Sequence, residues 1–123
     1  MSIDIECPDE LRAAAAAAAA ASGLKDGHLC VELVDTVMIA ELNRKYRGRD
    51  EPTDVLSFPI DEREPAAGPR ELGDVVICAE QTEDLDQAVV HGVLHLAGFD
   101  HEADGGEMLA LQERVLEGLR RER

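Results

Sequence analysis

The sequence lacks any apolar run long enough to cross a bilayer. Its most uniform stretch is an alanine run at residues 13–21, and the acidic residues Asp9 and Glu10 precede that run. A secretory signal peptide has a basic start and a more hydrophobic centre, so we expect no targeting segment. We therefore predict a cytoplasmic location and no contact with a membrane.

Cysteine is scarce as well. The chain has three cysteines, Cys7, Cys30 and Cys78, which are far apart in sequence and have mainly apolar neighbours. This distribution argues against a disulfide framework and is typical of reduced core thiols in the cytoplasm.

Basic residues are few, with 12 Lys and Arg against 27 Asp and Glu and a formal net charge of −15. Such a balance argues against generic nucleic-acid binding, which depends on neutralising phosphates. Four of the basic residues nevertheless fall within six positions, at Arg44, Lys45, Arg47 and Arg49. Taken alone, this cluster would be interpreted as a solvated helix end.

Strand and helix patterns follow one another along the 123 residues, a length that predicts a single domain over residues 1–123. Pro59 cannot donate to a β-ladder, so the third strand is expected at an edge of the sheet. It is expected to form a long-looped hairpin with the fourth strand through residues 61–72. Strands are predicted at residues 3–6, 27–34, 55–60 and 73–78, and helices at residues 8–21, 37–46 and 85–97, with a last helix opened by a capping box of Asp104 and Glu107.

The central feature of the sequence is the stretch HGVLHLAGFDH at residues 91–101. His91 and His95 are four residues apart, so they lie on one face of a helix. Gly98 predicts a left-handed helix end, after which His101 can turn back towards the pair. Three converging imidazoles are typical of a transition-metal site with an open coordination position, which marks a catalytic site.

A lone buried histidine is usually structural, and we assign His28 that role. Three of the four histidines in the chain at this spacing predict a metal site instead. Imidazole ligands favour Zn²⁺, although Ni²⁺, Cu²⁺ or Co²⁺ could take the same nitrogens. Asp100 either supports a ligating imidazole or only shapes the turn before His101.

The histidine spacing also matches the metal scaffold of metzincin proteases, in which a glutamate follows the first histidine and acts as the general base. Here that position is Gly92, so peptide hydrolysis is disfavoured.

Together, the predicted strands and helices and the histidine motif predict an α+β fold. This fold is a four-stranded mixed β-sheet packed by helices, with a central histidine-bearing helix and a zincin-like metal site.

The stretch at residues 91–101 resembles the signature of the YbeY family of bacterial endoribonucleases, the rRNA maturation factors. Two further stretches agree with the family in the same order: LNRKYRG at residues 42–48 followed by PTDVLSFP at 52–59, and LGDVVI at 72–77. The resemblance extends from about residue 35 to the last helix. One departure is that family members carry an additional helical segment where this chain has only residues 79–84.

The resemblance implies a single-strand-specific, zinc-dependent endoribonuclease that acts in rRNA processing, at the 3′ end of the small-subunit rRNA, and in ribosome quality control. His91, His95 and His101 match the family's metal ligands for one Zn²⁺ per chain. Arg47 matches the arginine of the family's cleft, so Arg47 and His91 are the expected catalytic residues. Expected partners are single-stranded or ribosomal RNA, the small ribosomal subunit and an Era-type GTPase.

The expected mechanism is metal-assisted phosphodiester cleavage, in which Arg47 steadies the phosphate. The residues leave open whether water or the 2′-hydroxyl of the substrate is the nucleophile. Two other functions remain open: a metallohydrolase of another substrate such as peptides, and a non-catalytic ribosome-assembly binding module with a structural metal. The second is disfavoured because structural zinc normally has a fourth protein ligand.

Overall fold

Four strands and four α-helices make up the part of the chain that the computed structural model describes, residues 3–24, 26–60 and 71–122. One turn of 3₁₀-helix, Ala79–Gln81, follows the last strand. The strands are β1 (Ile3–Glu6), β2 (Gly27–Val34), β3 (Val55–Pro59) and β4 (Glu71–Cys78), and the helices are α1 (Asp9–Ala21), α2 (Thr36–Arg47), α3 (Leu85–Leu96) and α4 (Glu107–Arg121).

The four strands form one sheet in the order β1-β2-β4-β3. β2 runs parallel to both β1 and β4, and β3 pairs antiparallel with β4. The sheet is therefore mixed, and the predicted α+β class is confirmed. β3 occupies an edge, where Pro59 removes no hydrogen bond from a central ladder.

Alternate side chains of the strands point to opposite faces of the sheet. On one face, Val75 and Ile77 join the main hydrophobic core together with residues of α1, α3 and α4. On the other face, Leu56 and Cys78 pack against Ile39 of α2 in a smaller cluster. Helices therefore cover both faces of the sheet near β3 and β4.

Helix α3 lies at the centre of the fold, in contact with β3, β4, α1 and α4. Its first turn is capped by Asp84, whose carboxylate accepts a hydrogen bond from the Gln87 backbone N–H at 3.1 Å. Beyond its C-terminal end, Gly98 adopts a left-handed conformation with φ of 102°. The helix starts at the predicted residue, and the left-handed turn lies at the predicted glycine. His91 and His95 therefore lie within α3, and His101 lies after the turn.

The alanine helix α1 lies on the outside of the fold with one face packed against α3 and α4. Its fully buried positions recur at helical spacing, and their small side chains let the helices approach closely. These residues are Leu11, Ala14, Ala15, Ala18 and Ala19.

The last helix begins later than predicted. Gly106, with φ of 103°, occupies the N-cap position, and α4 starts at Glu107. Asp104 does bind the helix start, because its carboxylate accepts hydrogen bonds from the backbone N–H groups of Gly106 at 2.8 Å and Met108 at 3.0 Å. The predicted capping box with Glu107 is therefore wrong, since Glu107 is the first helical residue rather than the third.

Smaller boundary differences affect the other elements. β4 begins at Glu71, two residues earlier than predicted, and residues 61–70 of the predicted loop lie outside the described residues. α2 extends one residue further at each end than predicted and is capped by Asp35, whose carboxylate accepts from the Met38 N–H at 2.8 Å. Among the described residues, no helix is long and apolar enough to cross a membrane. The three cysteines are free thiols.

Candidate metal centre

The structure brings the three predicted ligands together. His91 and His95 lie on one face of α3, and His101 lies in the turn that follows Gly98. One ring nitrogen from each of the three histidines lies within 4.8 Å of the others. The Nε2 atoms of His91 and His95 are 3.2 Å apart. The three side chains are therefore positioned to bind one metal ion.

Gln112 of α4 orients the first histidine. The Nδ1–H of His91 donates a hydrogen bond to Gln112 Oε1 at 2.9 Å, and Gln112 is only 4% exposed. This bond places the proton on Nδ1 and leaves the Nε2 lone pair directed towards His95. Sequence reasoning missed Gln112. The available signal was a polar residue on the apolar stripe of α4, four positions from both Met108 and Leu116.

The electrostatics of the site favour the neutral form of His95. Burial lowers the pKa of His95, and repulsion from His91 lowers it further. The Nδ1 atom of His101 is buried and has no hydrogen-bond partner among the described residues. An unpartnered buried nitrogen is costly, and a bound metal ion would offset that cost. The three imidazole donors and the neutral form favoured at His95 therefore fit a transition metal.

Asp100 shapes the turn that carries His101. Its carboxylate accepts from the Glu102 backbone N–H at 3.0 Å, and its carbonyl oxygen accepts from the N–H groups of Ala103 and Asp104. The second of the two roles considered for Asp100 is therefore the one observed. His28 lies outside the three-histidine group, on β2, where its Nδ1 is 2.8 Å from a Glu71 carboxylate oxygen.

An open cleft of about 810 Å³ contains the three histidines. Arg47, the last residue of α2, also lines this cleft, so the structure places the predicted arginine in the same cavity as the predicted ligands. Tyr46 lines it too and is 57% exposed. Tyr46 therefore lies at the exposed end of α2, beside the cleft, and not among the buried residues of this helix.

Asn43 stabilises the loop between α2 and β3. It is 2% exposed, and its side-chain amide donates to the carbonyl oxygen of Glu51 at 2.8 Å. The loop then continues to Thr53 and Asp54, which line the cleft. The asparagine of the second sequence motif thus positions backbone that borders the site.

Gly92 faces the sheet. A Cβ atom at this position would overlap Val75 Cγ1 and lie 3.1 Å from Val55 Cγ2. The Ser57 hydroxyl donates to the Gly92 carbonyl oxygen at 2.9 Å, which keeps strand and helix close. No room exists here for the glutamate that metzincin proteases carry, so the structure supports the interpretation against peptide hydrolysis.

The fold and this group define an α+β protein with three histidines, on its central helix and in the turn after it, that are positioned to bind a metal ion. The chain belongs to the endoribonuclease YbeY family, whose family model, described as Endoribonuclease YbeY, matches residues 4–120. Endoribonuclease YbeY from Persephonella marina is 43% identical over 107 residues, covering 75% of this chain and 70% of that protein. Endoribonuclease YbeY from Rubrobacter xylanophilus is 46% identical over 99 residues, covering 76% of this chain and 69% of that protein.

A solved structure agrees with the fold. The solution structure of TM1509 from Thermotoga maritima matches with a TM-score of 0.54 and 29% identity, over 94% of this chain and 87% of that chain. The alignment with the Persephonella marina protein runs over 107 positions yet covers only 75% of this 123-residue chain. That relative therefore has residues where this chain has none.

Proposed function

We propose that this chain is a zinc-dependent endoribonuclease that cleaves single-stranded RNA. The observation that carries the proposal is the cleft, in which a three-histidine group and Arg47 occur together in a member of the endoribonuclease YbeY family. The relatives with high identity carry the name Endoribonuclease YbeY. Three imidazole ligands favour Zn²⁺ over harder cations.

His91, His95 and His101 would hold the ion. When bound by three nitrogen ligands, zinc keeps a coordination position open and supplies Lewis-acid stabilisation of a phosphoryl oxygen or activation of a nucleophile. The Nδ1–H of His91 donates to Gln112, so the ring of this ligand is oriented by another side chain with its Nε2 free for the ion. We therefore assign His91 to both the metal-binding and the catalytic groups.

Arg47 is the second catalytic residue of the proposal. Its guanidinium carries a permanent charge and can form two hydrogen bonds to the scissile phosphate. Negative charge grows on the phosphoryl oxygens in the transition state, so a fixed cation in the cleft stabilises that state more than the ground state. The strongly acidic chain, with net charge −15, makes this local cation more important for binding an anionic strand.

The biological setting follows from the family resemblance. We assign the activity to rRNA processing at the 3′ end of the small-subunit rRNA and to ribosome quality control in the cytoplasm. The small ribosomal subunit and an Era-type GTPase are the proposed partners, and residues 1–123 are proposed to form a single catalytic domain.

Cleavage of a 5′-labelled single-stranded RNA by zinc-loaded protein tests the proposal. Arg47→Glu should retain metal and lower the cleavage rate at least about 100-fold, because the cation at the phosphate is replaced by an anion. Arg44→Glu is the matched control, since Arg44 is exposed on the same helix and is not among the residues lining the cleft. The control should cleave at close to the wild-type rate.

Two results would overturn the proposal. One is a zinc-loaded wild type that cleaves no RNA but still binds ribosomal particles, which is the behaviour of a binding module. The other is equal cleavage by Arg47→Glu and Arg44→Glu, which overturns the catalytic role that the proposal gives to Arg47. If cleavage occurs, a 2′,3′-cyclic phosphate product end identifies the substrate's 2′-hydroxyl as the nucleophile and excludes water in the first step.

A further inference from the structure

The aromatic residues of the chain are concentrated at one place. The sequence has one Tyr, two Phe and no Trp. All three aromatic side chains, Tyr46, Phe58 and Phe99, line the cleft that contains the histidines. Because the chain has no other Tyr, Phe or Trp residue, the cleft is the one place where such a ring can contact a ligand.

Tyr46 differs from the two phenylalanines. Phe58 and Phe99 are partly buried and pack against the two hydrophobic clusters, whereas Tyr46 is 57% exposed. Phe58 supports the Tyr46 ring in an edge-to-face arrangement, with ring centroids 5.1 Å apart and an interplanar angle of 66°. Tyr46 is therefore an exposed ring held by a ring that is itself anchored in the core.

Cations flank this ring on the same helix. The Lys45 Nζ atom lies 5.3 Å from the centroid of the Tyr46 ring, and Arg47 follows Tyr46 directly and lines the cleft. Alternation of aromatic rings with Lys and Arg is how proteins bind single-stranded nucleic acid: bases stack on the rings while phosphates contact the cations. In Tyr46 and Arg47 the two kinds of contact lie at adjacent positions.

We propose that Tyr46 is a stacking platform for one unpaired base of the RNA strand, next to the phosphate that Arg47 contacts. This inference rests on the proposed ribonuclease function and adds a source for strand selectivity. A base inside a duplex is already stacked on both faces, so within a strand Tyr46 can stack only on a base that is unpaired. Since every base has an aromatic face, the platform selects single strands without selecting a base.

Tyrosine fluorescence measures the stacking directly. Tyr46 is the only tyrosine and there is no tryptophan, so the intrinsic emission of the protein comes from this residue alone. Titration with a single-stranded 2′-O-methyl oligonucleotide, which resists attack by its own 2′-oxygen, should quench the emission saturably. The same oligonucleotide in a duplex should quench it at least about 10-fold less efficiently, as expected for a site that needs a free base face.

Kinetics of RNA cleavage provide the second measurement. Tyr46→Ala should raise KM by roughly 5- to 100-fold, the range expected for loss of one base–aromatic stack, with a much smaller change in kcat. Tyr46→Phe should rescue KM because it keeps the aromatic face. Met38→Ala is the matched control, since Met38 is 46% exposed on the same helix and is not among the residues lining the cleft. Its KM should match that of the wild type.

The outcomes separate this inference from the proposed function. If the wild type cleaves RNA, but binding leaves the emission unchanged and Tyr46→Ala has the KM of Met38→Ala, stacking is excluded and the ribonuclease proposal stands. If zinc-loaded wild type neither binds nor cleaves RNA, both proposals fail. Quenching together with a raised KM that Tyr46→Phe restores supports the platform.

Discussion

At the scale of single residues, Gln112 controls the orientation of His91. It is buried on α4, 21 positions from His91, and its side-chain oxygen accepts a hydrogen bond from the His91 Nδ1–H. Hydrogen bonds of this kind hold the ring of a metal ligand and raise its basicity. The histidine spacing predicts the ligands themselves, because it is local to one helix. Gln112 could not be predicted in this role, since the role depends on the packing of α4 against α3.

Replacement of Gln112 by leucine, which has a similar size and no acceptor, should weaken zinc binding about 10- to 100-fold. Gln112→Glu keeps an acceptor oxygen for the His91 Nδ1–H and should retain tight binding. Competition with a chromophoric chelator measures both affinities on folded protein. If Gln112→Leu is folded and binds zinc as tightly as Gln112→Glu, the positioning role of Gln112 is wrong.

Gly92 shows why one position of the histidine motif has no side chain. The sequence indicated only that the protease glutamate is missing there. The structure adds the cause, which is that a Cβ atom would overlap Val75 Cγ1 where the helix meets the sheet.

Gly92→Ala should therefore lower the free energy of unfolding by about 1–3 kcal/mol, the usual cost of overpacking a core. Gly118→Ala is the matched control, because Gly118 lies within α4 and an added Cβ would meet nothing within 4 Å. That change should raise stability by about 0.5–1 kcal/mol, since alanine favours helix over glycine. Urea unfolding measures both, and equal effects of the two variants would contradict the packing argument.

At the scale of elements, local sequence signals predicted most of the helices and strands. They failed at the start of α4, where a left-handed glycine occupies the N-cap position. Local patterns predicted β1 and β2 with their observed bounds, and they predicted the start of α3 at residue 85. The start of α4 was misplaced, because Asp104 binds backbone N–H groups without being the N-cap, and Gly106 takes that position in a left-handed conformation.

The pairing of β2 with β4 places His28 beside Glu71, with His28 Nδ1 2.8 Å from the carboxylate. The hydrogen bond to Glu71 raises the pKa of His28, and the charges of Glu71, Asp4 and Glu6 raise it further. A raised folded-state pKa contributes stability that is fully present below the unfolded-state pKa. That stability is lost as the pH rises through the folded-state pKa of His28.

Glu71→Gln removes the carboxylate charge, so it should lower the pKa of His28 and reduce the gain in stability on acidification towards mildly acidic pH. Glu117→Gln removes the same charge from an exposed position of α4 and serves as the control. Histidine resonances followed by NMR across a pH titration give the pKa of His28 in each protein. An unchanged His28 pKa in Glu71→Gln would show that this carboxylate does not cause the shift.

At the scale of the whole molecule, the sheet brings together residues that are distant in sequence. The cleft combines Arg47 from the end of α2, Ser57 from β3 and the histidines of α3 and its following turn. The motifs and the family resemblance predicted which residues to examine and the α+β class. The strand order β1-β2-β4-β3 was not predicted, because register and neighbour choice depend on long-range packing.

The net charge of the whole molecule also affects the binding of RNA. A net charge of −15 repels an anionic strand at long range, so RNA binding depends on local contacts in the cleft. In the proposed function, these contacts are a metal ion on the three histidines, Arg47 and the exposed ring of Tyr46. The metal is therefore the central requirement of the account, both for the catalytic chemistry and for attraction of the substrate.

Metal content tests that requirement most directly. Untagged protein is loaded with zinc, dialysed and measured by elemental analysis as wild type, as His95→Ala and as His28→Ala, the change at the one histidine outside the group. The account predicts about one zinc per chain in wild type and in His28→Ala, and a large loss in His95→Ala, since two remaining ligands hold zinc poorly. Well-folded wild type without zinc, or equal zinc in His95→Ala and His28→Ala, would contradict it.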